Sequence, residues 1–433
     1  MRVRLRLDRN PMLRNIIEKV ILVSVALTLS GALWRVLSGG SDAGVDGDPR
    51  AQVVLACVYS VLAVLALLEI RRSALSLYQN LALLGLMLLA FVSPFWSDSP
   101  DLVFRRAIAL TGTTLFGIVL ATRYSFDEQL RILRGAFRVA ATATLALLLV
   151  SPSRALAAPG SAEGLRGVFP HKNILGGAMA LAFLVEWHVH DQKAKAKTLR
   201  LLSLCAYGGL LLASDSITSI GTLIAVLGGV WIVRVACARH SLPLSWVAVY
   251  IVLAGFAVTL TGVEAGDLLW LVGRSSDMTG RLELWNAVVQ AIAQKPILGF
   301  GFSGFWMGAS AGSETVKRQI LWTPLYSHNG YLEIALSLGL VGLLLAIILL
   351  AQGFKRAWVR SQAENSLQSV WPLALLMFVA IHNLGECSIA WQNSLEWSVC
   401  VATIVGCDPM LRVAFESHEE IEDTSNEPAP ECA

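Results

Sequence analysis

Twelve apolar windows, each close to the roughly 20 residues that cross about 30 Å of hydrocarbon, constrain this chain more than any motif it carries. They fall near 16-37, 51-70, 74-92, 104-121, 136-151, 173-188, 199-214, 217-236, 243-262, 328-350, 368-384 and 390-406. With 55% hydrophobic and 15% charged residues and a mean hydropathy of +0.62, the chain carries more apolar side chain than a water-soluble core can use. The expectation is an all-α, polytopic integral membrane protein of about 12 transmembrane helices.

The arm MRVRLRLDRNPMLR leads into an apolar stretch too long for a signal peptide, with no small-residue cleavage site after it, and reads as an anchor. With the N-terminus inside, the arm, Arg71 and Arg72, segment 123-138, KAKAKTLR, Arg234 with Arg239, and FKRAWVR all fall on the cytoplasmic side, so both termini are expected there. The net charge of +3 is spread over these basic juxtamembrane loops, and no nucleic-acid motif accompanies it. Of seven cysteines, Cys57, Cys205, Cys237 and Cys400 fall in windows, Cys407 and Cys432 on the cytoplasmic side and Cys387 outside, which implies no disulfide framework. The expected organisation is a basic arm (1-15), a membrane bundle (16-262), a large outer loop (263-327), a second part of the bundle (328-406) and an acidic tail (407-433) with the composition of disorder.

Two outer segments are long enough to be functional, 151-172 and 263-327. Within the second, TGRLELWNAVVQAIAQKP places Trp285, Val288, Val289 and Ile292 at helical spacing opposite Arg281, Asn286, Gln290 and Lys295, and Pro296 stops the pattern. That predicts an amphipathic helix lying on the bilayer or on the bundle. The glycine- and aromatic-rich PILGFGFSGFWMG follows it.

Few residues combine chemistry with position. His328 opens the tenth window on its outer side, where a neutral imidazole can accept a proton; a helix-capping histidine is the competing reading. Arg281 lies in the first turn of the loop helix after Asp277 and Thr279, where an anion gains from the guanidinium and the exposed N–H groups; an ion pair with Glu283 or a neighbour across the loop is the competing reading. RGVFPHKN gathers Arg166, His171 and Lys172 at the entry to the sixth window, suited to a lipid diphosphate or to simple interfacial anchoring. LLASDSITSIG sets Asp215 among hydroxyls including Ser216, which either line a pocket or pack. Glu333, five residues after His328, is an acid inside a window and functional by default. Glu69, Arg105 and Arg106 near window ends read as snorkelling side chains. Walker loops, HExxH, zinc spacings and GxSxG are absent, and no Asp-x-Asp pair stands where it would hold a metal-bound nucleotide sugar, which argues against soluble nucleotide donors and leaves no metal or cofactor site expected.

Together these residues resemble the bacterial O-antigen ligase and polymerase superfamily, and most closely its exopolysaccharide-production branch. His328-Asn329, nine residues, Gly339, two residues and Gly342 match the ligase pattern; GVFPHKNILGGAMAL, the hydroxyl-rich turn into the eighth window and DMTGRLELWNAVVQAIAQKPILGFGFSGF extend the likeness over about half the chain, in the family's order. The chain departs from the pattern at Ile217, where many relatives carry Arg or Lys; Arg166 and Lys172 are candidates to supply that charge.

The resemblance implies a glycosyltransferase of the bacterial inner membrane, its site facing the periplasm, that moves an oligosaccharide from undecaprenyl diphosphate to an acceptor hydroxyl with inversion. The residues read above supply matching parts: His328 and Arg281 as candidate catalytic residues, and Arg166, Lys172, Asn173, Ser216, Asn329 and Glu333 as candidate binding residues. Expected partners are the lipid-linked donor, a glycan or lipid acceptor, membrane lipids, and flippase, chain-length or export proteins, with no nucleic acid. A polymerase is favoured over a ligase that delivers glycan to lipid A core or another acceptor. The rival class is a transporter of polysaccharide or lipid-linked sugar, which predicts related halves or helices broken near the midplane.

Overall fold

A computed structural model describes residues 11–34, 48–156, 164–239, 246, 250, 253–255, 279–306, 311–320, 324–363 and 368–410. The first ten residues of the arm, most of the ninth window, Asp277 and the acidic tail beyond residue 410 lie outside the described residues.

Every described element is helical, apart from one isolated bridge between Leu156 and Leu165. The helices are α1 (Pro11–Leu29), α2 (Pro49–Leu68), α3 (Ile70–Gln79), α4 (Leu81–Val92), α5 (Pro100–Arg123), α6 (Phe126–Val150), α7 (Lys172–His188), α8 (Ala194–Ala213), α9 (Ile217–Arg239), α10 (Thr279–Gln294), α11 (Ala311–Gln319), α12 (Gly330–Ala363), α13 (Trp371–His382) and α14 (Leu395–Gly406). Six are long and apolar enough to cross a membrane, or seven if the bent pair α3 and α4 is one span. The protein is thus an all-α polytopic membrane protein, and helices occupy eleven of the twelve predicted windows.

The third window is not a straight span. Its helix breaks at Asn80 and turns by 94°. The buried Asn80 amide donates to Ser76 O at 2.7 Å, and its Oδ1 accepts from Arg356 at 2.7 Å, so the break is held by partners rather than left open. The last two helices, α13 and α14, have only 12 residues each. All of α13 is buried, which lets short helices and irregular connections sit at membrane depth with protein, not lipid, around their ends. α14 lies closely against α5: a Cβ on Gly117 would come within 2.4 Å of Ser398 O, and Trp397 Nε1 donates to Thr114 Oγ1 at 3.0 Å.

The predicted cytoplasmic segments converge at one end of the bundle. Arg123 pairs with Glu18 at 2.7 Å and Glu69 at 3.3 Å, Lys19 with Glu128 at 3.0 Å, and Arg134 with Asp191 at 2.8 Å. Ser125 and Glu128 form a reciprocal cap at the start of α6. Arg106 departs from its expected snorkelling: it is buried and donates to Ser303 O at the other end, whereas Arg105 is exposed.

At that other end, the tenth window is interrupted. Gly339 inside α12 has φ 67 and ψ −168. The segment 296–301 fills the break: Phe300 N donates to Leu336 O at 2.9 Å, Gly301 N to Ser337 O at 3.0 Å, and Leu340 N to Pro296 O at 2.8 Å. Backbone groups freed by the break at Leu336, Ser337, Leu340 and Val341 are therefore used again. A Cβ at Gly339 would lie 2.1 Å from Ile297 O, so only glycine serves there. Gly339→Ala is expected to cost at least about 2 kcal/mol through the left-handed conformation and the clash, read as a lower thermal midpoint in detergent.

Candidate active site

The loop helix α10 lies on protein. Leu284 and Val288 are fully buried and join Phe300, Phe305, Trp306 and Leu336 in a second apolar core, each such side chain contributing roughly 1.5–3 kcal/mol. Its orientation differs from the predicted face: Val289 is 53% exposed while Arg281 is 9% exposed. Arg281 shares the buried stripe with Leu284 and Val288 because its head has partners inside. Trp285 Nε1 donates to Ser327 O at 3.0 Å and fixes the helix beside the start of α12.

Those partners meet at Glu386, in the connection after α13. Arg281 donates to Glu386 Oε1 at 3.2 Å, to Gly385 O at 2.9 Å and to Thr218 Oγ1 at 3.5 Å. Asn173 Nδ2 donates to the same Oε1 at 2.8 Å. Tyr326 OH donates to Oε2 at 3.2 Å, and His328 Nδ1 stands 3.6 Å from Oε2. The rings of Tyr326 and His328 are 4.2 Å apart. Four segments, from the starts of α7, α10 and α12 and the end of α13, thus converge on one buried carboxylate.

Burial pushes the Glu386 carboxyl up, but the neighbouring His328, followed by Arg281 and His382, overrides it and holds it well below the usual carboxylate range. Burial, and then the Glu386 charge, raise the Tyr326 phenol well above its ordinary value, so it stays a donor. A depressed carboxylate stabilises the fold above its unfolded value and loses that contribution as pH falls. The difference in thermal midpoint between wild type and Glu386→Gln is therefore expected to hold from about pH 8 to about pH 5 and to narrow below about pH 4.

His328 has φ 51, a left-handed conformation, just outside α12. It does not cap the helix; Asn329 does, its Oδ1 accepting from Tyr331 N and Leu332 N at 3.1 Å. Asn329 also donates to Leu384 O at 3.3 Å, tying the two sides of the site together. Glu333 is buried and accepts from Ser327 N at 2.8 Å and from Trp306 Nε1 at 3.0 Å, which fixes the backbone just before His328.

Lys172, 7% exposed, begins α7 after His171, whose Nδ1 accepts from Asn173 N at 3.2 Å. A Cβ on Gly164 would lie 3.1 Å from Lys172 Cδ and 2.6 Å from Ser214 O, and Leu165 N donates to Ala213 O at 2.8 Å. The lysine stem therefore lies beside the turn that holds Ile217. Ser216 in that turn is buried, its Oγ 2.9 Å from Ser219 Oγ, which is 3.4 Å from His382 Nε2; His382 Nδ1 is 3.2 Å from Glu396. Arg166 is half-buried in the preceding turn, its N donating to Ala155 O at 3.0 Å. Among the described residues no group of three or more His, Cys, Asp or Glu is placed to hold a metal ion.

Sequence reasoning brought Arg281, His328, Asn173, Lys172 and Ser216 to this end of the bundle but missed Glu386, Tyr326 and the His382–Glu396 pair. A weaker signal for Glu386 existed: it is an acid in the short connection between two apolar windows, whereas Glu333 lies inside one.

Comparison with known proteins supports a membrane enzyme of the O-antigen ligase or polysaccharide polymerase type. Residues 201–347 match the O-antigen ligase family. Over 324 residues the chain is 25% identical to the exopolysaccharide production protein ExoQ of Rhizobium meliloti (strain 1021), covering 70% of this chain and 71% of ExoQ. Over 125 residues it is 32% identical to a Rickettsia conorii protein provisionally named a polysaccharide ligase, covering 27% of this chain and 29% of that protein. These likenesses support the O-antigen ligase-like family for this chain, near its exopolysaccharide branch. Ser216, Arg281, His328 and both motif glycines lie inside the matched region; Lys172, Asn173 and Glu386 lie outside it.

Proposed function

We propose that this protein polymerises exopolysaccharide or O-antigen repeat units at the periplasmic face of the bacterial inner membrane, transferring glycan from undecaprenyl diphosphate to an acceptor hydroxyl with inversion. The observation that carries the reading is the convergence of Arg281 and His328 on Glu386. Carboxylate Oε2 beside Nδ1 selects the tautomer with its proton on that nitrogen, so Nε2 is left as the base. The acceptor oxygen attacks the anomeric carbon and gives its proton to His328 Nε2. The bond from that carbon to the diphosphate oxygen breaks, and the carrier diphosphate leaves with the electron pair. Arg281 and Lys172 stabilise the charge that develops on it. Asn173 and Ser216 line the same mouth as donor contacts, with Arg166 at its edge, and Asn329 and Glu333 act by positioning His328.

The polymerase reading is favoured by the likeness to an exopolysaccharide production protein over 70% of the chain. The broken helix that a transporter predicts does occur at Gly339, but the break is filled by 296–301. Because resident cations supply the positive charge, a chelator is expected to leave the rate unchanged.

The test is purified protein reconstituted with carrier-linked repeat units. Growth of glycan on the carrier marks a polymerase, and appearance on another molecule marks a ligase. His328→Asn keeps a residue tolerant of φ near 51 and is expected to leave stability within about 1 kcal/mol while abolishing transfer. Normal transfer by that variant would refute the assigned base. Lys172→Ala is expected to raise donor KM about tenfold, and Arg166→Ala less; no change on removing both would remove the substitute-charge role.

A further inference from the structure

One aromatic side chain at this mouth has no part in the chemistry above. Trp391 lies in the connection after α13, in the same short stretch as Glu386, and is partly exposed. Its ring is 5.7 Å from that of Tyr326, which is 4.2 Å from that of His328, so the indole stands no more than about 10 Å from the proposed base. That is the scale of a sugar ring or two.

The turn that carries Trp391 is pinned. Trp391 N donates to Ser388 O at 3.3 Å, Gln392 Oε1 accepts from Ser303 Oγ at 3.1 Å, and Asn393 N donates to Thr113 Oγ1 at 2.9 Å. Ala390 has φ 50, a left-handed conformation that an alanine adopts only where its surroundings impose it. The ring is thus held in place by the scaffold. Three other indoles at this end of the bundle use their N–H inside the protein: Trp96 on Leu298 O at 3.2 Å, Trp285 on Ser327 O at 3.0 Å and Trp306 on Glu333 Oε2 at 3.0 Å. Trp391 differs, its Nε1 having no hydrogen-bond partner among the described residues.

The two oxygens of Glu386 sort the site. Arg281 and Asn173 approach Oε1, the side of the cations, while Tyr326 and His328 approach Oε2. Trp391, in ring contact with Tyr326, therefore belongs to the side of the base, where the acceptor hydroxyl must arrive. A pyranose matches both parts of an indole, with a face of C–H groups for the electron-rich ring and hydroxyls for the N–H. An acyl chain would leave that N–H unmet.

We infer that Trp391 seats a sugar ring of the acceptor glycan and so helps to set which acceptors are used; this rests on the transfer reaction proposed above. The test takes the full chain in lipid nanodiscs, labelled with fluorotryptophan, and uses as probe one repeat unit released from the polymer that the producing cell makes. The Trp391 fluorine resonance, assigned by its absence from Trp391→Phe, is expected to shift as this oligosaccharide is added and to stay in place with carrier diphosphate that bears no glycan. Trp391→Leu is expected to raise the Kd of the oligosaccharide about tenfold, and the acceptor KM in turnover by a similar factor, with kcat and donor KM within about twofold. Trp391→Phe keeps a ring against Tyr326 and is expected to weaken binding about threefold, which keeps the test decisive if Trp391→Leu fails to fold. An unshifted resonance, or an unchanged Kd in the folded variants, overturns the inference. So does a resonance that responds only to the lipid headgroups of the nanodisc, which would make Trp391 an interfacial anchor. His328→Asn run beside them separates the two readings: normal transfer by it refutes the reaction itself, whereas an inactive His328→Asn with an unmoved Trp391 resonance defeats only the sugar seat.

Discussion

Glu386→Gln is expected to lower the rate of glycan transfer about a hundred- to ten-thousand-fold while the protein still folds and still binds donor, the range seen when the carboxylate behind a catalytic histidine becomes an amide. Glutamine keeps one acceptor oxygen, which at the Oε1 position still serves Asn173 and Arg281, and replaces the Oε2 that accepts from Tyr326. It loses the charge that stabilises the imidazolium, and its amide NH₂ can turn toward Nδ1 and leave the proton of His328 on the wrong nitrogen. The loss should therefore appear in kcat, measured in single turnovers with saturating donor, and little in KM. A glutamine variant within about threefold of wild type would show that Glu386 is only a structural anchor.

Arg281→Ala is expected to remove transfer as well, by a different route. The guanidinium is 9% exposed and forks between Gly385 O and Glu386, so its loss strands a buried carboxylate at a cost of about 3–5 kcal/mol. Donor binding fails with it. The double variant Arg281→Ala/Glu386→Ala separates the effects: it is expected to regain much of the thermal stability and none of the activity. Arg281→Lys keeps a point charge without the planar fork and should raise donor KM with a smaller loss of kcat. Recovery of activity together with stability in the double variant would deny Arg281 a role in chemistry.

Much of this architecture is legible in the residues, and the misses have physical causes. Apolar windows locate eleven helices because lipid-exposed spans need continuous apolar length. They fail at the third window, where buried Asn80 finds side-chain partners that a one-dimensional pattern does not contain. The spacing from His328 to Gly339 and Gly342 reads as a motif, but the reason for it appears only when the loop 296–301 is seen entering the break. The periodicity of α10 gives the helix correctly and its face wrongly, because an arginine with buried partners counts as polar in sequence and as interior in space. Glu386 is not legible because an acid in a short connection between windows has the pattern of an ordinary loop residue, and the partners that bury it come from distant segments.

The most direct measurement is a structure of the inactive His328→Asn protein with its carrier-linked donor bound. Diphosphate oxygens within hydrogen-bond distance of the Arg281 guanidinium, and the anomeric carbon open to a hydroxyl at the position of the lost imidazole, are expected. Diphosphate held at the Arg123–Glu69 end of the bundle, or out of reach of Arg281, would contradict the assignment.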